Sequence, residues 1–220
     1  MRGLFVTGTG TGVGKTIVSA ALLAAMRAAG EPVRAYKPAL TGLDEPAGEW
    51  PPDHELLGLA AGMEPEEVAP LRYGPAVSPH LATRLAGERV EPAVLLARAR
   101  EHANRTLVVE GVGGLLVPLA DSYSVRDLAV ELGLPLVVAA SPGLGTINHT
   151  LLTVEAARGA GLEVRAVVLT PWPSEPSAVA VSNLETIARV GELEAYTLEE
   201  ATNSSQLARL GASMPWRSWL

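Results

Sequence analysis

The chain has 220 residues, a formal net charge of −7 and 48% hydrophobic residues, and it contains no cysteine. This length fits one domain with a full hydrophobic core, so we expect a single domain over residues 1–220. The negative charge argues against a nucleic-acid-binding protein, and the lack of cysteine excludes disulfides, thiolate metal sites and cysteine nucleophiles. Neither a signal peptide nor a membrane-spanning apolar run is recognisable, so we expect a cytoplasmic protein that does not bind membranes.

The first predicted element is a buried strand, the apolar segment 3–7. The glycine-rich segment "GTGTGVGKT" follows at residues 8–16, and alanine and leucine at helical spacing then predict a helix over 16–30 that ends at Gly30. A strand, a glycine-rich loop and a helix are the context of a phosphate-binding loop, or P-loop. The spacing differs from the usual pattern, because Gly8 lies one residue earlier than that pattern requires.

Strands and helices alternate through the rest of the chain. We expect a strand over 33–38, a loop over 42–52 and a short helix over 53–62 with Asp53 as its N-cap. Further along, a helix is predicted at 92–103, strands at 106–110, 134–140 and 164–169, and helices near 124–132 and 146–160. This alternation predicts an α/β fold, a single P-loop NTPase-like domain with a parallel sheet and helices on both faces. Residues from about 191 onward receive no assignment.

Charged residues fall at the carboxyl ends of three predicted strands, where open parallel sheets bind their ligands. In the loop, Lys15 suits the β- and γ-phosphates of a nucleotide, and Thr16 suits a Mg²⁺ ion. Glu110 ends a buried strand and is followed by glycines, so its carboxylate also suits Mg²⁺. Lys37 ends another strand, and Lys15 and Lys37 are the two lysines of a chain with 15 arginines. Because lysine supplies a compact charge that can lose its proton, their retention indicates a functional requirement. By spacing alone, Asp53 is either a helix cap or a functional carboxylate.

These motifs resemble those of the dethiobiotin synthetases, enzymes of biotin biosynthesis. The segment "FVTGTGTGVGKT" (5–16) is similar to the opening of that family, including its early glycine. Further family segments match in the same order, namely "YKPALTG" (36–42), "SPHLA" (78–82), "VEGVGGLLVPL" (109–119) and "LGTINHTLLT" (144–153). The resemblance covers roughly residues 3–170. It implies a ligase that joins 7,8-diaminononanoate and CO₂, drawn from bicarbonate, into a cyclic urea with MgATP.

The resemblance also implies a reaction sequence and roles for residues. One amine takes up CO₂ as a carbamate, the carbamate oxygen attacks the γ-phosphate, and the second amine closes the ring of the carbamic-phosphoric anhydride. Lys15 and Lys37 would be the catalytic residues, because two repelling anions need positive charge between them. Thr16, Asp53 and Glu110 would hold Mg²⁺. Lys37 would contact the carbamate and the γ-phosphate, and Thr41 would hydrogen-bond the diamine or carbamate end of the substrate; the alternative for Thr41 is a turn hydroxyl that caps its own backbone.

The nucleotide site implied by the resemblance consists of Gly12, Val13, Gly14, Lys15, Thr16, Asp53, Glu110, Gly111, Gly113 and Gly114. The family also implies a homodimer in which a helix N-terminus of one subunit receives the far carboxylate of the substrate bound to the other. That N-terminus would consist of Gly145, Thr146, Ile147 and Asn148. From the residues alone, the same segment is an ordinary helix start capped by Thr146 or Asn148.

Two segments depart from the family pattern. Thr170 stands where relatives often carry an asparagine that reads adenine, and "GELEAYTLEE" (191–200) replaces a Gly-x-Ile/Leu-Pro segment. Base preference is therefore not predicted, and we expect the tryptophans at 172, 216 and 219 to pack in the core and not to stack on a base. Two alternatives stay open. A partition or septum-positioning ATPase would carry a further lysine at the position of Gly10, and a non-catalytic nucleotide-binding module is the other.

Overall fold

A parallel sheet forms the centre of the protein, for which a computed structural model describes residues 1–46, 48–101 and 104–220. In this part of the chain the strands are β1 (Gly3–Gly8), β2 (Val33–Tyr36), β3 (Thr106–Glu110), β4 (Pro118–Ala120), β5 (Tyr123–Ser124), β6 (Leu136–Ala140), β7 (Val164–Trp172) and β8 (Glu194–Glu199). Six of them pair in the order β2-β3-β1-β6-β7-β8, all parallel, whereas β4 and β5 form a separate antiparallel hairpin. All six residues of β1 are buried, as a central parallel strand requires.

Helices cover both faces of the sheet, as the sequence predicts. Those in the described residues are α1 (Lys15–Ala28), α2 (Asp53–Ala61), α3 (Pro65–Val68), α4 (Pro79–Leu85), α5 (Pro92–Arg100), α6 (Val125–Leu132), α7 (Thr146–Gly159), α8 (Ala178–Gly191), α9 (Leu207–Ala212) and α10 (Trp216–Trp219). On β1, Leu4 and Val6 pack in the core cluster shared with α1, α2 and the C-terminal helices, whereas Phe5 packs with α5 and α6 on the other face. A third cluster lies beneath α7 and α8.

The end of the P-loop helix follows from its sequence. Gly30 lies just after the cap residue Ala29 and has a positive φ of 81°. The Gly30 N–H donates to the Arg27 carbonyl and the Glu31 N–H to the Met26 carbonyl, each at 3.0 Å. These two bonds form a Schellman motif, which is why the helix stops where glycine permits a left-handed turn.

Several predicted boundaries are wrong. Strand β2 ends at Tyr36 and not at 38, because the Lys37 N–H donates to the Val68 carbonyl at 2.8 Å and Pro38 has no N–H to offer. Strand β6 begins at Leu136 and not at 134, and β7 continues to Trp172 beyond the predicted end at 169. Helix α5 ends at Arg100. Residues 102 and 103 of the longer predicted helix lie outside the described residues.

The unassigned tail packs against the P-loop helix. Helix α9 crosses α1 so closely that a Cβ on Gly211 would lie 1.9 Å from the Ala21 carbonyl oxygen. Trp216 and Trp219 are buried in the same core cluster, and Trp219 meets Tyr196 edge to face at a centroid distance of 5.4 Å. The expectation that the tryptophans pack in the core is confirmed for these two. Trp172 is half-buried against the third cluster.

Candidate active site

The glycine-rich loop joins the centre of the sheet to α1. Gly14 is the N-cap of α1 and has a φ of 87°, and no side chain among the described residues caps this helix. Its first backbone N–H groups and the positive end of its dipole are therefore available to a phosphate. Lys15, the first residue of the helix, is buried, and its Nζ donates to the Gly10 carbonyl at 2.7 Å. The strand, loop and helix predicted for a P-loop are thus present.

Burial is the main influence on Lys15 and lowers its pKa below the ordinary value of 10.5. The Glu110 carboxylate opposes this effect, whereas the neighbouring Lys37 ammonium adds to it. A lysine whose charge is poorly solvated gains most from an anion that approaches it. Lys15 is accordingly suited to bind phosphate oxygens.

Lys37 and Glu110 meet because of the strand register. Tyr36 pairs with Val109 across β2 and β3, so the next residues on the two strands lie side by side. Both side chains are buried, and the Lys37 Nζ lies 2.5 Å from the Glu110 Oε1. Burial by itself would lower the pKa of Lys37, but the Glu110 and Asp53 carboxylates outweigh it and raise the pKa. Lys37 is therefore a buried ammonium ion.

Asp53 completes this cluster from α2. The predicted N-cap role is wrong, because Pro52 is the cap residue and Asp53 is the first helical residue. Its Oδ2 lies 2.6 Å from the Lys37 Nζ, and its Oδ1 accepts a hydrogen bond from the Thr16 Oγ1 at 2.9 Å. The Thr16 hydroxyl also lies 3.0 Å from the Glu110 Oε1. The carboxylate therefore faces the P-loop and does not cap its own helix.

Thr16, Asp53 and Glu110 are brought together as the sequence predicts for a magnesium site. The second oxygen of Glu110, Oε2, is buried and has no hydrogen-bond partner among the described residues, which leaves a carboxylate lone pair for a cation. Within 1–46, 48–101 and 104–220, no three His, Cys, Asp or Glu side chains form a metal cluster. Mg²⁺ does not need one, because it is commonly held by one or two carboxylates and substrate phosphates. The donor set fits this ion.

A cleft of about 500 Å³ opens at this edge of the sheet. Lys15, Thr16, Lys37 and Asp53 border it, and so does Thr41, the predicted substrate residue. Among the bordering residues that we did not predict are Thr11, Trp50 and Ser78. The signal for Thr11 and Ser78 was their place inside segments that resemble the family, whereas nothing in the sequence distinguished Trp50.

The predicted nucleotide-binding glycines lie in different environments. Gly12, Gly14 and Gly113 border the cleft. Gly114 lies against the backbone of Gly8 and Thr9, and Gly111 is buried against Val125 and Phe5. The remaining predicted residue of this set, Val13, packs against the large core cluster. The glycines after β3 thus allow the backbone to pass close beside the P-loop.

The predicted substrate segment lies apart from the cleft. Gly145 is the N-cap of α7 with a φ of 89°, and within the described part of the chain no side chain caps this helix. The predicted alternative of a cap by Thr146 or Asn148 is wrong. Thr146 is buried and lies 3.4 Å, oxygen to oxygen, from Thr150. In the described part of the chain, neither Ile147 nor Asn148 borders the cleft formed by Lys15 and Lys37.

Thr170 is buried near the end of β7, beside the P-loop. A Cβ placed on Gly14 would lie 2.4 Å from the Thr170 Cγ2. The threonine methyl group therefore packs directly against the backbone at the start of α1. This packing explains why a small side chain occupies position 170.

The fold and this site together define a P-loop nucleoside-triphosphate-binding protein. A family model described as an AAA domain matches residues 2–204. The fold resembles that of a ParA family ATPase from Chlorobium tepidum, with a TM-score of 0.59, 11% identity and complete coverage of both chains. It also resembles apo McdA from Cyanothece, with a TM-score of 0.55, 13% identity and coverage of 96% of this chain and 90% of that one. At such identities the likeness concerns the fold alone.

Sequence relatives are much more similar. The ATP-dependent dethiobiotin synthetase BioD of Anaeromyxobacter dehalogenans is 46% identical over 202 residues, 90% of this chain and 89% of the relative. The synthetase of Anaeromyxobacter sp. strain Fw109-5 is 42% identical and covers 94% and 98%, and that of Mycobacterium sp. strain KMS is 37% identical and covers 89% and 86%. The chain belongs to the ATP-dependent dethiobiotin synthetase family, which confirms the resemblance drawn from its motifs. No helix among the described residues is long and apolar enough to cross a membrane.

Proposed function

We propose that the chain is an ATP-dependent dethiobiotin synthetase, a ligase of biotin biosynthesis that joins 7,8-diaminononanoate and CO₂ with the release of ADP and phosphate. One observation carries the proposal: Thr16, Lys37, Asp53 and Glu110 form one bonded cluster beside the P-loop of a chain from this family. A partition-type ATPase has only the fold in its favour, and Gly10 occupies the position where such proteins carry a further lysine.

The chemistry begins with an amine and CO₂, which form a carbamate and release a proton. A carbamate oxygen then attacks the γ-phosphate and expels ADP, and the second amine attacks the carbamate carbon and expels phosphate. The carbamate and the nucleotide triphosphate are both anions and repel each other, so positive charge must be fixed between them. Lys15 binds the phosphate oxygens, and Lys37 holds the carbamate against the γ-phosphate. Thr41 orients the substrate by a hydrogen bond from its hydroxyl.

Thr16, Asp53 and Glu110 would hold Mg²⁺. When bound, the ion neutralises phosphate charge and fixes the position of the γ-phosphate. Asp53 and Glu110 have a further task that is their own: they keep Lys37 protonated. A protonated lysine can present its positive charge to the carbamate.

The function is tested by phosphate release from MgATP, with 7,8-diaminononanoate and bicarbonate each present or omitted. Release that needs both co-substrates, together with dethiobiotin identified by mass spectrometry, supports the proposal. CTP and GTP assayed in parallel report the base preference that Thr170 permits. Release without either co-substrate would favour a switch ATPase, and no release with any nucleotide would favour a non-catalytic module.

The Lys37→Ala variant tests the role assigned to Lys37 directly. Its nucleotide affinity should stay within a few-fold of the wild type, because Lys15 and the loop remain. Diamine-dependent phosphate release should fall by at least about 10²–10³, the usual effect of one positioned donor. Wild-type turnover in Lys37→Ala would remove the role assigned to that residue.

We further propose a homodimer in which Gly145, Thr146, Ile147 and Asn148 bind the far carboxylate of the substrate held by the partner. The exposed leucines at 116, 144 and 152 support it, because they leave apolar side chains uncovered on α7 and on segments outside it. Leu116 and Leu152 border one depression with Thr9, Gly10 and Thr11 of the P-loop. A second copy of the chain would cover this surface.

Subunit complementation tests the shared site. Lys37→Ala removes the charge that holds the carbamate against the γ-phosphate. Asn148→Glu places a negative charge where the carboxylate would bind. If each site uses both subunits, random mixing gives heterodimers with one intact site, and activity returns to about a quarter of the wild type. Two inactive variants that stay inactive after mixing, although they exchange subunits, would contradict a shared site.

A further inference from the structure

One cation already lies between the carboxylates that we propose as metal ligands. The Lys37 Nζ is 2.6 Å from the Asp53 Oδ2 and 2.5 Å from the Glu110 Oε1. The Thr16 hydroxyl reaches the same two carboxylates, at 2.9 and 3.0 Å. All three proposed metal ligands are therefore linked to one another, and Lys37 supplies the ammonium group in direct contact with both carboxylates.

An ammonium ion and a divalent ion compete for these oxygens. Mg²⁺ binds oxygen at about 2.0–2.1 Å and requires near-octahedral geometry. On the Asp53 Oδ2 and Glu110 Oε1 it would lie next to a nitrogen held at 2.5–2.6 Å from the same atoms. Lys37 and Glu110 are both buried, so their surroundings screen the repulsion between two such cations only weakly. The Glu110 Oε2 has no hydrogen-bond partner among the described residues, but the Asp53 Oδ2 and the Glu110 Oε1 can satisfy only one of the two cations in this arrangement.

Lys15 is the natural comparison. It is also buried in the cleft and also carries a positive charge, but its Nζ donates to the Gly10 carbonyl. No contact joins it to Asp53 or Glu110 among the described hydrogen bonds and ion pairs. Two buried lysines of the same cleft thus differ in whether they occupy the carboxylate oxygens.

We propose that Lys37 is the counterion of the metal-binding carboxylates until a divalent cation displaces it. Displacement frees the ammonium ion toward the cleft bordered by Thr41, where the carbamate would form. Lys37 then becomes available to an anionic substrate only after the metal has bound with its nucleotide, which orders the two binding events. The inference rests on the metal site of the proposed function.

Mn²⁺ binding to the nucleotide-free protein tests this competition, with free Mn²⁺ followed by electron paramagnetic resonance. Lys37→Met keeps an unbranched side chain and removes the charge, so Mn²⁺ should bind at least about tenfold more tightly than to the wild type. Lys15→Met removes an equal charge that acts on Glu110 and Asp53 without contacting them, so it should change Mn²⁺ affinity by clearly less than Lys37→Met does. Equal effects of the two variants, or weaker binding to Lys37→Met, would overturn the proposal.

Removing Lys37 leaves Glu110 buried without its partner, so folding needs its own control. Lys37→Gln is also uncharged but retains hydrogen-bond donors, and it should bind Mn²⁺ more tightly in the same way. Adding Asp53→Asn to either variant should abolish the gain, and a gain that persists would place the metal elsewhere. None of these measurements uses diaminononanoate. Dethiobiotin formation by the wild type combined with no gain in Mn²⁺ affinity would therefore reject the inference alone.

Discussion

Gly14 and Thr170 are in contact across the floor of the P-loop, with the threonine methyl group 2.4 Å from the place where a Cβ on residue 14 would lie. Gly14 also has a φ of 87°, which disfavours any other residue. Two separate constraints, one steric and one conformational, therefore require glycine at the cap of α1. Gly12 is subject only to the conformational constraint, with a φ of 73° and no atom of the described residues within 4 Å of an added Cβ.

This difference makes Gly12→Ala a matched control for Gly14→Ala. Gly12→Ala should lower the free energy of unfolding by about 1–2 kcal/mol, the cost of a left-handed residue. Gly14→Ala should lower it by about 1–3 kcal/mol more, the usual effect of overpacking. Because serine lacks the methyl group, Thr170→Ser should restore part of the additional loss in Gly14→Ala and nothing in Gly12→Ala. Urea unfolding measures the stability of Gly12→Ala and Gly14→Ala, each alone and combined with Thr170→Ser. Equal losses of stability at the two glycines would refute the argument.

Asn183 on α8 should control the loop before α7. It is buried, and its Nδ2 donates to the Pro142 carbonyl at 3.0 Å and to the Gly143 carbonyl at 3.1 Å. Asn183→Asp replaces this donor with a carboxylate facing two carbonyl oxygens, so the loop should move. Since that loop leads into the proposed carboxylate-binding helix start, KM for diaminononanoate should rise several-fold while KM for ATP stays unchanged.

The control for this variant is the exposed neighbour Ser182, whose change to alanine should alter neither constant. A parallel rise of both KM values in Asn183→Asp would indicate a general loss of structure. Asn183→Ala separates lost hydrogen bonds from added repulsion, and its effect should be the smaller of the two.

The pH dependence of stability should report on Asp53. Burial by itself would raise its pKa, but the Lys37 charge and hydrogen bonds from Lys37 and Thr16 outweigh burial and hold the pKa below the ordinary value of 3.8. A carboxyl group with a lower pKa in the folded state stabilises it above the unfolded pKa and loses that effect as the pH falls through the folded pKa. The wild type should thus be more stable than Asp53→Asn near neutral pH, and the difference should shrink below pH 3.8. A difference that is constant from pH 7 to about 2.5 in denaturant unfolding would contradict this.

Trp219 should be essential for stability although it lies far from the P-loop in sequence. It is 2% exposed and packs in the cluster that includes α1. Trp219→Ala should cost about 3–5 kcal/mol of unfolding free energy. Trp219→Phe keeps an aromatic ring against Tyr196 and should lose less unfolding free energy than Trp219→Ala. Trp172→Ala should also lose less, because Trp172 is only half-buried. Guanidinium unfolding distinguishes them, and a small loss for Trp219→Ala would mean that the tail is not part of the cooperative unit.

The features that could be predicted are those determined by short stretches of the sequence. Strand β3 matches its predicted bounds residue for residue, because a buried parallel strand is a continuous apolar run. The P-loop and the helix after it follow from glycine spacing and helical periodicity. Lys37 and Glu110 could be placed at strand ends for the same reason. Their direct pairing depends on the register of β2 and β3, which no local pattern encodes.

What was missed depends on distant partners. Asp53 looks like a helix cap from its own neighbourhood, and its real partners, Thr16 and Lys37, lie on other elements. Strand β8 escaped notice because it lies at the sheet edge, has charged residues at both ends and buries one residue fully. Helix α9 could not be foreseen, since its apolar face is defined by the surface of α1 that it covers.

The contact between α9 and α1 also has a consequence for protein synthesis. A ribosome completes α1 long before it makes α9, so the apolar side of the nucleotide-binding helix emerges without its cover. Contacts between such distant segments form late, and uncovered apolar surface in the interval favours aggregation. The chain can complete the burial of the helix that begins at Lys15 only after Gly211 has been synthesised, which couples maturation of the phosphate site to translation of the tail.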